Sequence, residues 1–507
     1  MRNEGVGSWP YRRLRSDPDK TAIVFRDEPL SYAQLDERVT RLAHALRERG
    51  VRHGARVAVL AKNHPAYLEA LFAAGLLGAV FVPLSARLTP TEIAHCLRDS
   101  GVAVLIHSAE LVTTAIPAVE QAGTSMRITC DGEPDDGSTD YESAIATASD
   151  ERLDEPVGHD DPCFVMYTSG TTGHPKGVVL THGNVTFAVL NPIIDLDLTS
   201  DEVALVCAPL FHTAALNFVS LPALLKGAAV HIEEGFDPER VLAVIERVGV
   251  TYTFGVPTMF DDLTEHPSWP GADLSSLRRV VVAAAPVPPR TLRRYTDRGV
   301  KICQAYGLTE TGPGALVLGP ANVERKLGSA GVPHFFTDVR VVDAAGERVP
   351  PGERGEIQVS GPNVMRGYHE RPDATADAFT DDAWLRSGDV GVPDEDGYVS
   401  VVDRVKDMII SGGENIYPAE VEAVLLDLAG VDSCAVFGVP DERWGEVPQA
   451  AVVLTGEVGL SEQDLREFLG GRLARYKMPR SFVFLDEIPR NASGKIRKGE
   501  LRERFAG

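Results

Sequence analysis

Short apolar runs that alternate with capped amphipathic stretches leave this chain few architectures to adopt. Ser31 and Gln34 are spaced as a capping box, and behind them Leu35, Val39, Leu42, Ala43 and Leu46 recur at helical spacing until Gly50. Val57-Ala58-Val59-Leu60 then reads as a buried strand. A second helix is expected from about Pro65, a strand at Val80-Phe81-Val82, a third helix from Thr89-Pro90 and a strand over residues 102–106. The alternation continues through Val203-Ala204-Leu205-Val206, residues 228–232 and Val280-Val281-Val282. It predicts an α/β chain whose mostly parallel sheets are covered by helices, since a parallel neighbour is reached by a crossover helix.

From about residue 328 the texture changes to short strands and Gly/Pro/Asp turns, at 338–343, 355–361 and 397–402, which predicts a β-rich subdomain. Past Arg404 a helix over 418–428, strands over 433–438 and 449–454 and a helix over 461–473 predict a separate α+β domain. Several domains suit 507 residues, at roughly 100–200 residues each. The formal net charge of −23 disfavours nucleic acid as a partner, so a bound polyanion would need local backbone amides and a few Lys or Arg side chains. Cys96, Cys130, Cys163, Cys207, Cys303 and Cys434 form no CxxC pair and read as buried small hydrophobes in a reducing compartment. The first residues hold no apolar run, and the longest one, 70–82, is interrupted by Gly75 and Gly78. No secretory signal or membrane span is expected, and the expected location is the cytoplasm.

The densest chemical signal is Tyr167-Thr168-Ser169-Gly170-Thr171-Thr172-Gly173-His174-Pro175-Lys176-Gly177, which follows an apolar strand over 163–166. Three glycines, four Ser/Thr hydroxyls and one lysine share eleven positions. Glycines let backbone amides close on an anion, hydroxyls add donors, and lysine is a compact point charge for phosphate. The Walker A pattern does not fit.

This segment resembles the signature loop of the adenylate-forming superfamily, which includes acyl-CoA synthetases, peptide-synthetase adenylation domains and luciferases. Four more segments fit in the same order, and the resemblance spans about residues 20 to 500. Gln304-Ala305-Tyr306-Gly307-Leu308-Thr309-Glu310 resembles the adenine and magnesium motif, and Ser387-Gly388-Asp389 the ribose motif. Asp403-Arg404-Val405-Lys406-Asp407, running into Gly412-Gly413-Glu414-Asn415, resembles the hinge and the first loop of a mobile domain. Pro489-Arg490-Asn491-Ala492-Ser493-Gly494-Lys495-Ile496 resembles the catalytic-lysine loop. The implied organisation is an N-terminal adenylation domain over 1–403, with its β-rich subdomain at about 328–403, a hinge at 404–406 and a small mobile α+β domain over 407–507.

The resemblance implies ATP and Mg²⁺, and roles for individual residues. Thr168, Ser169, Gly170, Thr171, Thr172, Gly173 and Lys176 would hold phosphates, with Ala284, Ala285, Pro286, Gln304, Ala305, Tyr306 and Gly307 around the nucleotide. Tyr306 would lie against adenine, Thr309 would donate to a phosphate oxygen, and Glu310 would supply a hard oxygen to Mg²⁺. Asp389 would accept from the ribose hydroxyls with Arg404 beside it. Lys495 would bridge the attacking carboxylate and the α-phosphate. After pyrophosphate leaves, rotation about Lys406 would present Gly412-Gly413 to the thiol; a solvated linker lysine is the other reading of Lys406.

The acid pocket implied by the resemblance comprises His212, Ala214, Ala215, Val256, Pro257, Ala283 and Gly307. Acyl-CoA synthetases commonly carry glycine near Ala214 or Ala215 and again near Ala283, so added methyls narrow this pocket. No arginine lies in these stretches, which disfavours a dicarboxylate; a short, medium or flat aromatic acid fits better. The expected acceptor is CoA, supported by Tyr476-Lys477-Met478-Pro479, which resembles a CoA-ligase segment. A carrier-protein thiol or an amine remains an alternative, including activation of nitrite for an aminoaryl acid. A paralogue that only binds nucleotide is disfavoured by the intact set Lys176, Glu310, Asp389, Arg404 and Lys495. Oligomeric state is left open.

Overall fold

The first capping box closes as its spacing predicts. In the computed structural model Ser31 Oγ accepts from Gln34 N (3.2 Å), Gln34 Oε1 accepts from Ser31 N (2.8 Å), and the helix Tyr32–Glu48 follows. The structure describes residues 2–124, 126–168, 175–284, 287, 289–404, 407–411, 414–441, 444–456, 459–470, 472–473, 475–491 and 494–505. By internal contact it divides into two compact units: Met1–Val339 with Val359–Leu385, and Arg340–Gln358 with Arg386–Gly507.

The larger unit carries two sheets. Among the described residues, one runs in spatial order Val332–Pro333, Leu316–Leu318, Ile302–Tyr306, Arg279–Val282, Tyr252–Gly255, Val203–Val206, Ala229–Ile232, Thr21–Phe25 and Glu28–Ser31. Its middle six strands pair parallel, as the alternation predicts; the outer ones fold back antiparallel. Val241, Leu242 and Ile245 of the helix Pro238–Val248 and Phe260 and Leu263 of Pro257–Glu265 share a core with Val280, Val282 and Ile302. The second sheet runs Gly367–Tyr368, Lys176–Thr181, Pro162–Thr168, Val80–Leu84, Arg56–Leu60, Val102–Ser108, Met126–Cys130 and Ser138–Asp140.

The apolar stretch 70–82 resolves into the helix Ala66–Leu76 and the strand Val80–Leu84. That helix is buried throughout, including Glu69, whose carboxylate is held by Arg38 Nε and Tyr141 OH at 2.6 Å each. A buried charge persists only when paired in this way. All six cysteines are buried and unbonded to one another, and burial pushes the Cys96, Cys130, Cys207 and Cys303 thiols up to about 12. Among the described residues no helix is long and apolar enough to cross a membrane.

The smaller unit holds a sheet of Asp338–Val342, Gly355–Ser360, Leu385–Pro393 and Val399–Arg404, and a second built on the long hairpin Val431–Asp441 and Gly445–Leu454. The β-rich strands group here with the C-terminal segment: the helix Pro418–Leu426 begins beside them, and Ala419 N donates to Asp403 Oδ2 (3.0 Å). Ile416, Val421, Leu425, Val436, Val452, Leu465 and Leu469 form its core. The helix expected over 461–473 spans only Glu462–Leu469, because Gly470 turns extended (φ −60°, ψ 128°).

Candidate active site

The signature loop joins two antiparallel strands, Pro162–Thr168 and Lys176–Thr181, with Thr168 opposite Lys176. Ser169, Gly170, Thr171, Thr172 and Gly173 lie outside the described residues, but the strands fix where the loop starts and ends. The base is braced by neighbours. Tyr167 OH donates to Asp99 Oδ2 (2.8 Å), His369 N donates to Gly177 O (2.7 Å), and a Cβ at Gly177 would meet Val165 Cγ1 at 2.6 Å. Glycine is required there by this close approach.

The second motif follows the strand Ile302–Tyr306, where a single tight turn over Thr309–Thr311 presents Thr309 and Glu310. Gly307 allows the turn to fold back: a Cβ there would lie 1.5 Å from Pro313 O. Asn363, fully buried, donates to Thr311 O (2.8 Å) and Gly314 O (2.9 Å) and accepts from Thr337 Oγ1 (2.9 Å). Asn217 Nδ2 donates to Gly312 O (2.9 Å). Gln304 is buried with its Nε2 lacking a partner, an orphan donor in the stretch assigned to the nucleotide.

The two motifs meet at Tyr368. This residue sits on the short strand Gly367–Tyr368, paired antiparallel with Lys176–Thr181. Its hydroxyl donates to Glu310 Oε1 (2.9 Å), and Lys176 Nζ lies 5.2 Å from its ring centroid. Burial, and the Glu310 carboxylate beside it, raise the Tyr368 phenol well above its ordinary range, so it stays a donor. The result is a half-buried carboxylate with one oxygen fixed, and an ammonium on the ring's face at the foot of a phosphate-type loop. Among the described residues no three His, Cys, Asp or Glu side chains converge as a metal cage. That fits Mg²⁺, which commonly takes one or two carboxylates and completes its shell with phosphate oxygens and water. Tyr368 and Asn363 were not legible beforehand, since both lie in an irregular stretch with no hydrophobic period.

The stretches assigned to the acid pocket also converge. Ala214 and Ala215 open a seven-residue π-helical turn, Ala214–Ser220, in which Ser220 Oγ donates to Ala215 O (2.7 Å). Such turns are rare and frequent at functional sites. Tyr252 OH donates to Phe218 O, tying this turn to the strand that runs into Gly255, Val256 and Pro257. Ala283 N donates to Gly255 O (3.4 Å). His212 is half-buried with its ring 4.6 Å from that of Phe211. Ala284 holds φ 74°, a left-handed backbone that favours glycine. Ala285 and Pro286 lie outside the described residues.

In the smaller unit Asp389 is buried and stands directly opposite Arg404 in the strand register. Gly388 precedes it in the same strand with a left-handed backbone (φ 69°), and Asp389 N donates to Ser387 Oγ (3.0 Å). The Arg404 side chain, Lys406, Gly412 and Gly413 lie outside the described residues. Lys495 is exposed on a tight reversal in which Asn491 N donates to Lys495 O (2.8 Å) and Lys495 N donates to Asn491 Oδ1 (2.9 Å).

Comparison with known proteins names this arrangement. Residues 11–369 match the model for the AMP-binding enzyme family, and residues 420–495 that for the AMP-binding enzyme C-terminal domain. Feruloyl-CoA synthase of Amycolatopsis sp is 55% identical over 505 residues, covering 100% of both chains. Indoleacetate–CoA ligase of Aromatoleum aromaticum is 42% identical, covering 99% of this chain and 98% of that one. Among solved structures, o-succinylbenzoate CoA synthetase (MenE) from Bacillus subtilis with its acyl-adenylate intermediate OSB-AMP superposes with a TM-score of 0.88 at 34% identity, over 98% of each chain. The same protein is also known with ATP and a magnesium ion. The chain belongs to the AMP-binding enzyme family.

Proposed function

We propose that this enzyme activates a flat aromatic carboxylic acid and passes it to coenzyme A. The chemistry is AMP-forming acid:CoA ligation. A carboxylate oxygen attacks the α-phosphorus of ATP, the bond to pyrophosphate breaks, and an acyl-adenylate forms. The thiol sulfur of CoA then attacks the acyl carbon, and AMP leaves as its C–O bond breaks. Both steps crowd negative charge, so the protein's part is chiefly positioning and neutralisation.

One observation carries this: the Lys176–Tyr368–Glu310 arrangement at the foot of the signature loop. Glu310, its orientation set by Tyr368, would hold Mg²⁺, which when bound neutralises phosphate charge. Lys176 and the loop would take the phosphates, and Thr309 would donate to one of their oxygens. Tyr306 and Gln304 would border the adenine, and Asp389 would take the ribose with Arg404. Lys495 would bring its ammonium between carboxylate and α-phosphate. In the second half-reaction the segment after Arg404 turns about Lys406 and Gly412-Gly413 faces the thiol. The domain boundaries 1–403 and 407–507 belong to this scheme, as does a cytoplasmic location. The aromatic acid is supported by the alanines that narrow the pocket and by relatives that act on feruloyl and indoleacetyl groups.

The test is ATP-dependent pyrophosphate release across aliphatic and aromatic acids, with and without CoA, plus nitrite with an aminoaryl acid. Fast turnover with aromatic acids that requires CoA for thioester product is expected. Turnover on nitrite and an amine, indifferent to CoA, would overturn the proposed acceptor and acid together.

A further inference from the structure

His334 is a buried polar group that the adenylation chemistry leaves unused. It follows the strand Val332–Pro333 and is 1% exposed. Its Nδ1 lies 2.6 Å from Asp195 Oδ2, which also accepts from Phe335 N (3.2 Å). A carboxylate only accepts, so Nδ1 carries a proton, and in the tautomer with that single proton Nε2 offers a lone pair. That Nε2 is buried with no partner. A buried polar atom without a partner costs free energy and calls for a reason.

Its neighbours locate it. A Cβ at Gly314 would lie 2.8 Å from Nε2, so any other residue there would cap the nitrogen. Gly314 follows the Thr309–Thr311 turn, and its Cα lies 3.0 Å from where a Cβ of Gly307, a pocket residue, would be. Phe218 comes from the same π-helical turn as Ala214 and Ala215; its ring is 5.8 Å from His334 and 6.4 Å from Phe254, which precedes Gly255 and Val256. The imidazole Nε2 thus faces Gly314 beside the ring of Phe218, with Phe254 one ring further on.

We propose that Asp195-anchored His334 is a specificity residue that accepts a hydrogen bond from a phenolic hydroxyl on the ring of the acid substrate. Phe218 and Phe254 border the aromatic body, and Nε2 takes the hydroxyl proton's hydrogen bond at the far end. This rests on the acid being aromatic. A site with a buried polar group of this sort rejects the analogue that leaves it unpaired.

The experiment measures kcat/KM for p-hydroxycinnamate, cinnamate and p-methoxycinnamate in the full chain with ATP, Mg²⁺ and CoA. The wild type is expected to favour the phenol at least tenfold over cinnamate and over the methyl ether, which cannot donate. His334→Leu should bring the phenol-to-cinnamate ratio close to one, and Gly314→Ala, which caps Nε2, should lower it in the same direction. A wild-type ratio near one, or a ratio that survives His334→Leu, overturns the assignment. Should His334→Leu fail to fold, the wild-type comparison of phenol with methyl ether decides alone: equal handling overturns it. If no aromatic acid turns over at all, the proposed acid class falls with it. If aromatic acids turn over without discrimination, only the role of His334 falls.

Discussion

Replacing Tyr368 with Phe tests the link between the signature loop and the acidic motif while sparing the ring. The substitution deletes one hydrogen bond, Tyr368 OH to Glu310 Oε1 at 2.9 Å, and keeps the aromatic face under Lys176. A hydrogen bond to a charged group is worth about 1.5–3 kcal/mol, and Glu310 is half-buried, which places this one at the lower end. About 1.5 kcal/mol corresponds to roughly a tenfold loss in kcat/KM for MgATP, since each ~1.4 kcal/mol is a factor of ten. The loss should take the form of a higher Mg²⁺ requirement, because the carboxylate is no longer held in one orientation. Tyr368→Leu removes the cation–π contact as well, worth ~0.5–2 kcal/mol, and should be the weaker enzyme. Pyrophosphate release would be followed at varied Mg²⁺ in wild type, Tyr368→Phe, Glu310→Gln and the double variant. If Tyr368 acts through Glu310, its effect largely vanishes in the Glu310→Gln background. Equal effects in both backgrounds, or an unchanged Mg²⁺ dependence, would refute the coupling.

Lys495→Ala should abolish most adenylation without altering folding, seen as lost pyrophosphate release with an unchanged circular dichroism spectrum; full adenylation in that variant would remove the role assigned to it. Asn363→Ala strips two buried hydrogen bonds from the turn that carries Glu310 and a third from Thr337, and should lower stability by about 2–4 kcal/mol, read as an earlier urea midpoint. Burial lowers the His182 pKa to about 4, while Val6 N donates to its Nδ1 (3.1 Å). The unfolded chain therefore binds the proton first, and His182 makes stability fall as pH drops from about 6.5 to about 4 and level off below, by up to roughly 3 kcal/mol. Denaturation midpoints at pH 7.5 and 5 should converge in His182→Gln relative to wild type; an identical pH slope in both would contradict this.

Much of the fold was legible because its signals are local. Capping boxes and 3.6-residue spacing delimit Tyr32–Glu48 and Pro90–Ser100, and fully apolar runs mark the parallel strands, which are buried on both faces. The antiparallel edges were not legible. Strands of two or three residues, such as Val332–Pro333 and Gly367–Tyr368, are too short for any periodicity and form only because a neighbour offers free hydrogen-bonding groups. The motif residues announced themselves by type and order, so Lys176, Glu310 and Asp389 could be named in advance. Tyr368, Asn363 and His334 could not, because their significance lies in contacts across 58, 52 and 139 residues of sequence. The π-helical turn was equally silent: no residue type in Ala214–Ser220 marks its wider backbone bonding in advance.

Around the turn that carries Glu310, the buried polar side chains are of two kinds. Asn191, Asn363, Thr337 and Thr311 are buried and bonded to one another or to backbone, so together they fix the turn from Leu308 to Gly314. Gln304 Nε2 and His334 Nε2 are as deeply buried yet lack partners, and both border that same turn or the strand leading into it. In a well-packed interior such orphans are few, because each costs about 1–3 kcal/mol. Other buried atoms of the larger unit, such as Ser108 Oγ and His182 Nε2, also lack partners, so what sets Gln304 and His334 apart from these is their place beside the turn carrying Glu310. Under the proposed function, a molecule that supplies an acceptor to Gln304 and a donor to His334 would recover the cost of those two, which would make the same defect a source of selectivity.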